Sequence, residues 1–164
     1  MKTYRIAKEK IHPTIKDKDM LPSECLYIKG WLGTDWDGMP GVQESKEHNW
    51  RGADSIVSSI EDYAKLHGFF RETTSGLGGK QSFLPNCNMR AYFSKKECSL
   101  AEAYRRFDEL MYSGCLVTDA SYTGYSEWTI TGMDLDEFTI GGHDLASEFD
   151  SHMGEYVHLI IECK

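Results

Sequence analysis

Hydrophobic positions follow a helical period in three stretches and a strand-like pattern in most of the rest. In residues 55–67, Ile56, Ile60, Tyr63, Ala64 and His67 recur on one face, with Asp54 placed to cap the first turn and Gly68 to stop the helix. A second helix is expected from the capping box Ser99-Leu100-Ala101-Glu102, where serine and glutamate satisfy orphan backbone donors reciprocally. Its apolar stripe continues through Ala103, Tyr104, Phe107, Leu110 and Met111 to a C′ glycine at Gly114. A third, shorter helix starts at an Asp144 cap, buries Leu145 and Phe149, and reaches about residue 153 before Gly154.

Between these, runs rich in β-formers predict strands at residues 4–8, 24–32, 88–94, 115–122, 125–131, 135–140 and 156–163. The last, YVHLIIEC, is apolar enough for a central strand. Turn signals at Gly124 and at Gly132-Met133-Asp134 make the second half hairpin-rich. The pattern predicts a single α+β domain over residues 1–164, a mostly antiparallel sheet with about three helices packed on it. Residues 33–52 show no period and read as a long loop or insertion, whose Trp36, Met39 and Trp50 argue against a purely solvated linker.

Composition narrows the class without naming a function. The chain has 164 residues, enough for a sizeable core. It has five widely spaced cysteines and no C-x-x-C, a pattern that fits reduced thiols better than a disulfide framework or a zinc ribbon. No run approaches a membrane span, and residues 1–5 lack a secretory apolar stretch, so a cytoplasmic location with no membrane partner is expected.

Charge is uneven. The formal charge is −8. Residues 1–30 carry seven Lys/Arg against four acids, residues 31–106 carry ten of each, and residues 107–163 carry twelve acids and no Lys or Arg. A stretch so one-sided is self-repelling, and a protein that tolerates it has a use for the field.

Specific chemistry is sparse. Residues 76–81 (GLGGKQ) lack the first Gly and the hydroxyl of a phosphate loop. Gly141-Gly142-His143-Asp144 reads as a turn and a cap, since His143 and His152, nine apart, fall on opposite sides of one helix. His158 inside the C-terminal strand reads as a hydrogen-bonded core residue, and Cys87 has no neighbouring base to activate it. No complete catalytic set, metal site or cofactor motif emerges.

The reading carried forward is a protein-binding protein. Small, acidic, motif-poor α+β chains are typical of inhibitors carried by phages and mobile elements, such as anti-CRISPR and anti-restriction proteins, and the parallel is one of class only. The expected partner is a basic protein, of the kind found in nucleic-acid-binding complexes, with carboxylates standing where phosphates would sit. The residues expected to meet it are Asp134, Asp136, Glu137, Asp144, Glu148, Asp150, Trp36 and Trp50. An alternative is a metal-assisted hydrolase or nuclease drawing on the Asp/Glu/His cluster at 134–152. A third is a module that stacks a sugar or base on Trp31, Trp36 and Trp50.

Overall fold

The computed structural model describes residues 21–22, 24–47, 51–74, 80–115, 121–123, 127–129 and 132–163. The expected strand at 4–8, most of the 76–81 loop, and Trp50 lie outside them.

The fold is α+β, and among the described residues every strand pair is antiparallel. The strands of the larger sheet are β1 (Leu26–Thr34), β2 (Pro40–Gln43), β3 (Asp54–Ser55), β6 (Asn86–Ser94), β7 (Met111–Cys115) and β13 (Tyr156–Cys163), in the spatial order β3-β2-β1-β13-β6-β7. A second sheet joins β4 (Arg71–Thr74), β5 (Lys80–Leu84), β10 (Met133–Asp134), β11 (Thr139–Ile140) and β12 (His143–Asp144) in the order β12-β11-β10-β5-β4. A hairpin of β8 (Ser121–Thr123) and β9 (Glu127–Thr129) forms a third. Helices α1 (Ile56–His67), α2 (Leu100–Tyr104) and α3 (Leu145–Asp150) complete the described elements, with a 3₁₀ turn at Phe107–Glu109.

The C-terminal strand is central, as its unbroken apolar run requires. It lies between β1 and β6 and is buried on both faces. On one face, Leu26, Ile28, Val157, Leu159, Met89 and Ala91 meet Ile56, Ile60 and Tyr63 of α1, Leu145 and Phe149 of α3, and Leu84, Met133 and Ile140 of the second sheet. On the other, Tyr27 and Ile160 are covered by Leu100, Ala103 and Phe107. Both sheets and helices α1 and α3 therefore share one core.

The helices differ from expectation in instructive ways. In α1 the cap is Ser55, whose Oγ accepts the Ser58 N–H at 3.1 Å, because Asp54 is drawn into β3 against Val42. His67 is exposed, though its ring still meets Tyr63. The helix ends at Gly68 in the left-handed conformation. Helix α3 has its Asp144 cap as read, the carboxylate accepting the Ser147 N–H at 3.1 Å. It ends at Asp150 with Ser151 as its C-cap, however, and residues 151–154 are a turn rather than the expected last helical residues before Gly154.

The largest difference is residues 99–114. Ser99 does cap a helix, but it stops at Tyr104. Phe107 reaches the core from a 3₁₀ turn, and Met111–Cys115 becomes a strand on β6. Ladder bonds to a neighbouring strand outweigh a helical period that only the sequence sees. Gly114 is no C-cap. A Cβ there would stand 2.7 Å from the backbone of Gly132, so Gly114 is where the second sheet closes onto the first.

Of the expected strand at 135–140, residues 135–138 form a tight turn between β10 and β11, with Phe138 at a positive φ of 53°, and only Thr139–Ile140 are strand, as β11. Residues 33–52 are not one long loop. Their first part extends β1, turns at Asp35–Gly38 and returns as β2. The hairpin of β4 and β5 was not anticipated. Among the described residues no helix is long and apolar enough to cross a membrane.

Candidate functional site: an acidic groove at the N-terminus of α1

The turn between β1 and β2 is built around one buried carboxylate. Asp35 is 7% exposed, and its Oδ1 accepts the N–H groups of Asp37 (2.8 Å) and Met39 (2.9 Å). This Asx arrangement, closed by Gly38 at φ 80°, fixes the chain reversal. It leaves Trp36 at the tip, 77% exposed.

A second carboxylate-built turn faces it across the first residues of α1. Asp134 is 5% exposed, and its Oδ1 accepts the N–H groups of Asp136 (2.9 Å) and Glu137 (3.2 Å). Burial raises its pKa above the ordinary aspartate value, and the backbone donors of Glu137 and Asp136 pull the other way. Asp136 in turn accepts the Ser82 N–H at 2.7 Å, tying this turn to β5.

Two adjoining cavities flank the start of α1, the smaller of them between the two turns. One, of about 580 Å³, is lined by Asp35, Trp36, Asp37, Arg51, Asp54, Ser55, Ser58 and Asp62, with Gly52 and Ala53. The other, of about 270 Å³, adds Met39, Val57, Glu61, Ser82, Leu135 and Asp136, and shares Asp35, Asp37, Ser55 and Ser58. Among the described residues, six acidic residues therefore border one groove, against the guanidinium of Arg51. The N-terminus of α1 helps to explain how they gather, since it carries a partial positive charge of about half a unit. That offsets a small part of the charge. Asp35 is buried on its own turn and Asp136 accepts from Ser82, so the acids left to line the groove beside the exposed indole are Asp37, Asp54, Glu61 and Asp62.

The expected contact residues divide. Trp36 and Asp136 line the groove, and Asp134 supports it from inside rather than presenting a surface. Glu137 is exposed on the same turn. Asp144, Glu148 and Asp150 belong to the α3 corner. Trp50 is outside the described residues, and Trp31 is buried against Tyr156 with the Lys46 ammonium over its ring.

The twelve acids of residues 107–163 do not make one face. Asp108 and Glu109 follow Phe107 on one side of the larger sheet, whereas Asp134, Asp136, Asp144 and Glu148 belong to elements packed on the other. The groove's Asp35, Asp37, Asp54, Glu61 and Asp62 come instead from the stretch whose charges cancel overall. A narrower window would have found them, since residues 31–62 hold seven acids against Lys46 and Arg51.

At the α3 corner, His143 and His152 do meet a common residue, contrary to the helical-wheel expectation. His143 precedes the helix in β12, so its direction is not set by the helical period. Glu148 lies 3.1 Å from His143 Nε2 and 4.0 Å from His152 Nε2. Glu148 also accepts from the Tyr112 hydroxyl, and burial first, then this carboxylate, pushes that phenol up to about 12. His152 stacks on Phe93 at 4.0 Å and pairs with Glu155 at 2.6 Å. Among the described residues no group of three or more His, Cys, Asp or Glu is arranged to hold a metal ion.

His158 is the satisfied core residue expected. Its Nε2 is 2.8 Å from the Cys98 carbonyl, which can only accept, so Nε2 carries the proton and Nδ1 accepts from Tyr27 Oη at 2.9 Å.

Fold and groove together define a small antiparallel α+β protein with a concave, acidic, tryptophan-edged surface among its described residues. No family model, curated protein or solved structure matches the chain.

Proposed function

We propose that the chain is a binding protein whose groove at the N-terminus of α1 receives a cationic segment of a partner protein. The observation that carries this reading is the groove's lining: Asp37, Asp54, Glu61, Asp62 and Asp136 around adjoining cavities, edged by an indole that is 77% exposed. Such a surface suits Lys and Arg side chains. The carboxylates accelerate and orient encounter, and Trp36 offers a face for a cation or an apolar stem. The partner class is the one the composition points to, a basic nucleic-acid-handling protein in the cytoplasm. Occupying its basic surface would inhibit it or decoy it from its nucleic acid.

Titration calorimetry of the full chain with an Arg/Lys-rich peptide, and with a Glu-rich peptide of matched length, tests the reading. Binding of the basic peptide alone is expected, weakening steeply with salt. Trp36→Ala should weaken it by about tenfold or more, as loss of an anchor aromatic does. The paired change Asp37→Asn and Glu61→Gln should flatten the salt dependence. No heat with the basic peptide, or affinity indifferent to salt, overturns it.

A further inference from the structure

The hydrogen-bond parity of the larger sheet singles out one thiol pair. The N–H of Leu32 donates to the Glu155 carbonyl at 2.8 Å, just beyond the Trp31↔Tyr156 pair. Successive residues of a strand point their backbone groups to alternate sides. In β13, therefore, Val157, Leu159 and Ile161 bond to β1, and His158, Ile160 and Glu162 bond to β6. The far side of β6 agrees: the Ala91 N–H donates to the Leu110 carbonyl at 3.0 Å, so Ala91, Met89 and Cys87 face β7. Both routes make Cys87 and Cys163, which stand opposite each other in the register, a non-hydrogen-bonded pair.

Directly opposite residues share a face, and in such a pair the Cα atoms approach to about 4.5 Å. That falls at the short end of the range a disulfide spans, about 4.4 to 6.8 Å. Cys87 belongs to the main core and Cys163 packs against it. Among the described residues no other cysteine stands opposite a cysteine in the register. Cys115 stands opposite Asn86, and Cys25 and Cys98 lie outside the strands.

We propose that Cys87 and Cys163 are a disulfide site, a reversible latch that ties the end of the central strand to β6. The proposal is independent of the groove. The oxidant is a low-molecular-weight disulfide such as oxidised glutathione. The thiolate of Cys163, the less buried of the two, attacks one sulfur and expels one glutathione thiolate, leaving a mixed disulfide. The Cys87 thiolate then attacks the Cys163 sulfur and expels the second. Two protein thiols lose two protons and two electrons, one S–S bond forms, and the oxidant leaves as two thiols. Burial pushes both thiols up to about 12. The latch is accordingly slow near neutrality, and its closure should quicken about tenfold per pH unit.

The test is the full chain carrying Cys115→Ser, to keep exposed thiols from linking molecules, incubated with oxidised glutathione from about pH 7 to pH 9. Peptide mapping should find one bridge, Cys87 to Cys163, formed faster at higher pH and reopened by dithiothreitol. Its Tm should lie about 10 °C above the reduced form, since the bridge closes a long loop. Adding Cys163→Ser should abolish the bridge and the Tm rise while leaving the reduced fold intact. A bridge between other cysteines, a bridge that persists in Cys163→Ser, or unreacted Cys87 and Cys163 thiols at pH 9 would overturn it.

Discussion

Asp35 should behave as a structural acceptor whose loss dissolves the β1–β2 turn. Its Oδ1 holds the N–H groups of Asp37 and Met39 at 2.8 and 2.9 Å, and the carboxylate is almost wholly out of water. A bond to a charged acceptor contributes about 1.5 to 3 kcal/mol net, and the exposed Asp37 and half-buried Met39 on the donor side place these two near the lower value. Asp35→Ala removes both, for a loss of about 3 kcal/mol. With a urea m-value of about 2 kcal/mol/M, the midpoint should fall by about 1.5 M with m unchanged. Asp35→Asn keeps an oxygen at the same place and loses only the charge, so it should cost about half as much. Equilibrium urea unfolding monitored by fluorescence compares the three chains. A midpoint for Asp35→Ala within about 0.3 M of wild type would refute the assignment. So would equal damage from Asn and Ala, since charge rather than the acceptor would then be responsible.

Other consequences concern the join between sheets, the second turn and the buried imidazole. A Cβ at Gly132 would sit 2.1 Å from the Leu84 carbonyl oxygen, so Gly132→Ala should cost about 3 kcal/mol or prevent folding, read as a fall in Tm. Asp134 holds its proton more tightly folded than unfolded, because burial raises its pKa. Its contribution is greatest below the ordinary aspartate range and is lost as pH rises through the folded pKa. Wild type should therefore lose stability relative to Asp134→Asn as pH rises from below the ordinary aspartate range, measured by urea unfolding at a series of pH values. A difference that stays flat with pH would contradict the assigned burial. His158→Phe keeps a ring of similar size but removes the bonds to the Cys98 carbonyl and Tyr27 hydroxyl, and should lower stability by about 2 kcal/mol on the same assay.

How far the sequence revealed the fold depended on whether one period or two fitted each stretch. Residues 156–163 are apolar on both faces, which only a central strand satisfies, and the structure puts β13 there to the residue. Helices α1 and α3 were legible because a period coincided with a terminal signal, the stop at Gly68 in α1 and the Asp144 cap in α3, although the α1 cap is Ser55 and α3 stops at Asp150 short of Gly154. Residues 99–114 carried a cap and a stripe as well, but the stripe hid an alternation. In MYSGC, Tyr112 and Gly114 turn toward the core and Met111, Ser113 and Cys115 toward solvent. Nothing local could show that β6 would supply a partner ladder, or that Gly114 was small to admit Gly132 rather than to end a helix. The groove was half legible for a related reason. Its Trp36 and Asp136 were singled out, while Asp35 and its neighbours were lost in a window whose charges summed to zero.

That loss bears on how charge should be read in such a chain. A net charge belongs to a stretch of sequence, but a field belongs to a surface, and folding reassigns residues between them. Asp134 and Asp144 lie in the most acidic stretch, yet one is buried holding a turn and the other caps a helix. Their formal charge is real, but much of it is directed at backbone N–H groups. Asp37, Asp54 and Glu61 lie in a balanced stretch, yet the β1–β2 turn and α1 bring them around one groove, while Lys80, Lys95 and Lys96 do not line it. The turn that assembles the groove rests on Asp35, a carboxylate almost absent from the surface. A groove-binding defect in Asp35→Ala with binding preserved in Asp35→Asn would mark that residue as a scaffold. A defect in Asp37→Asn without loss of stability would mark a contact.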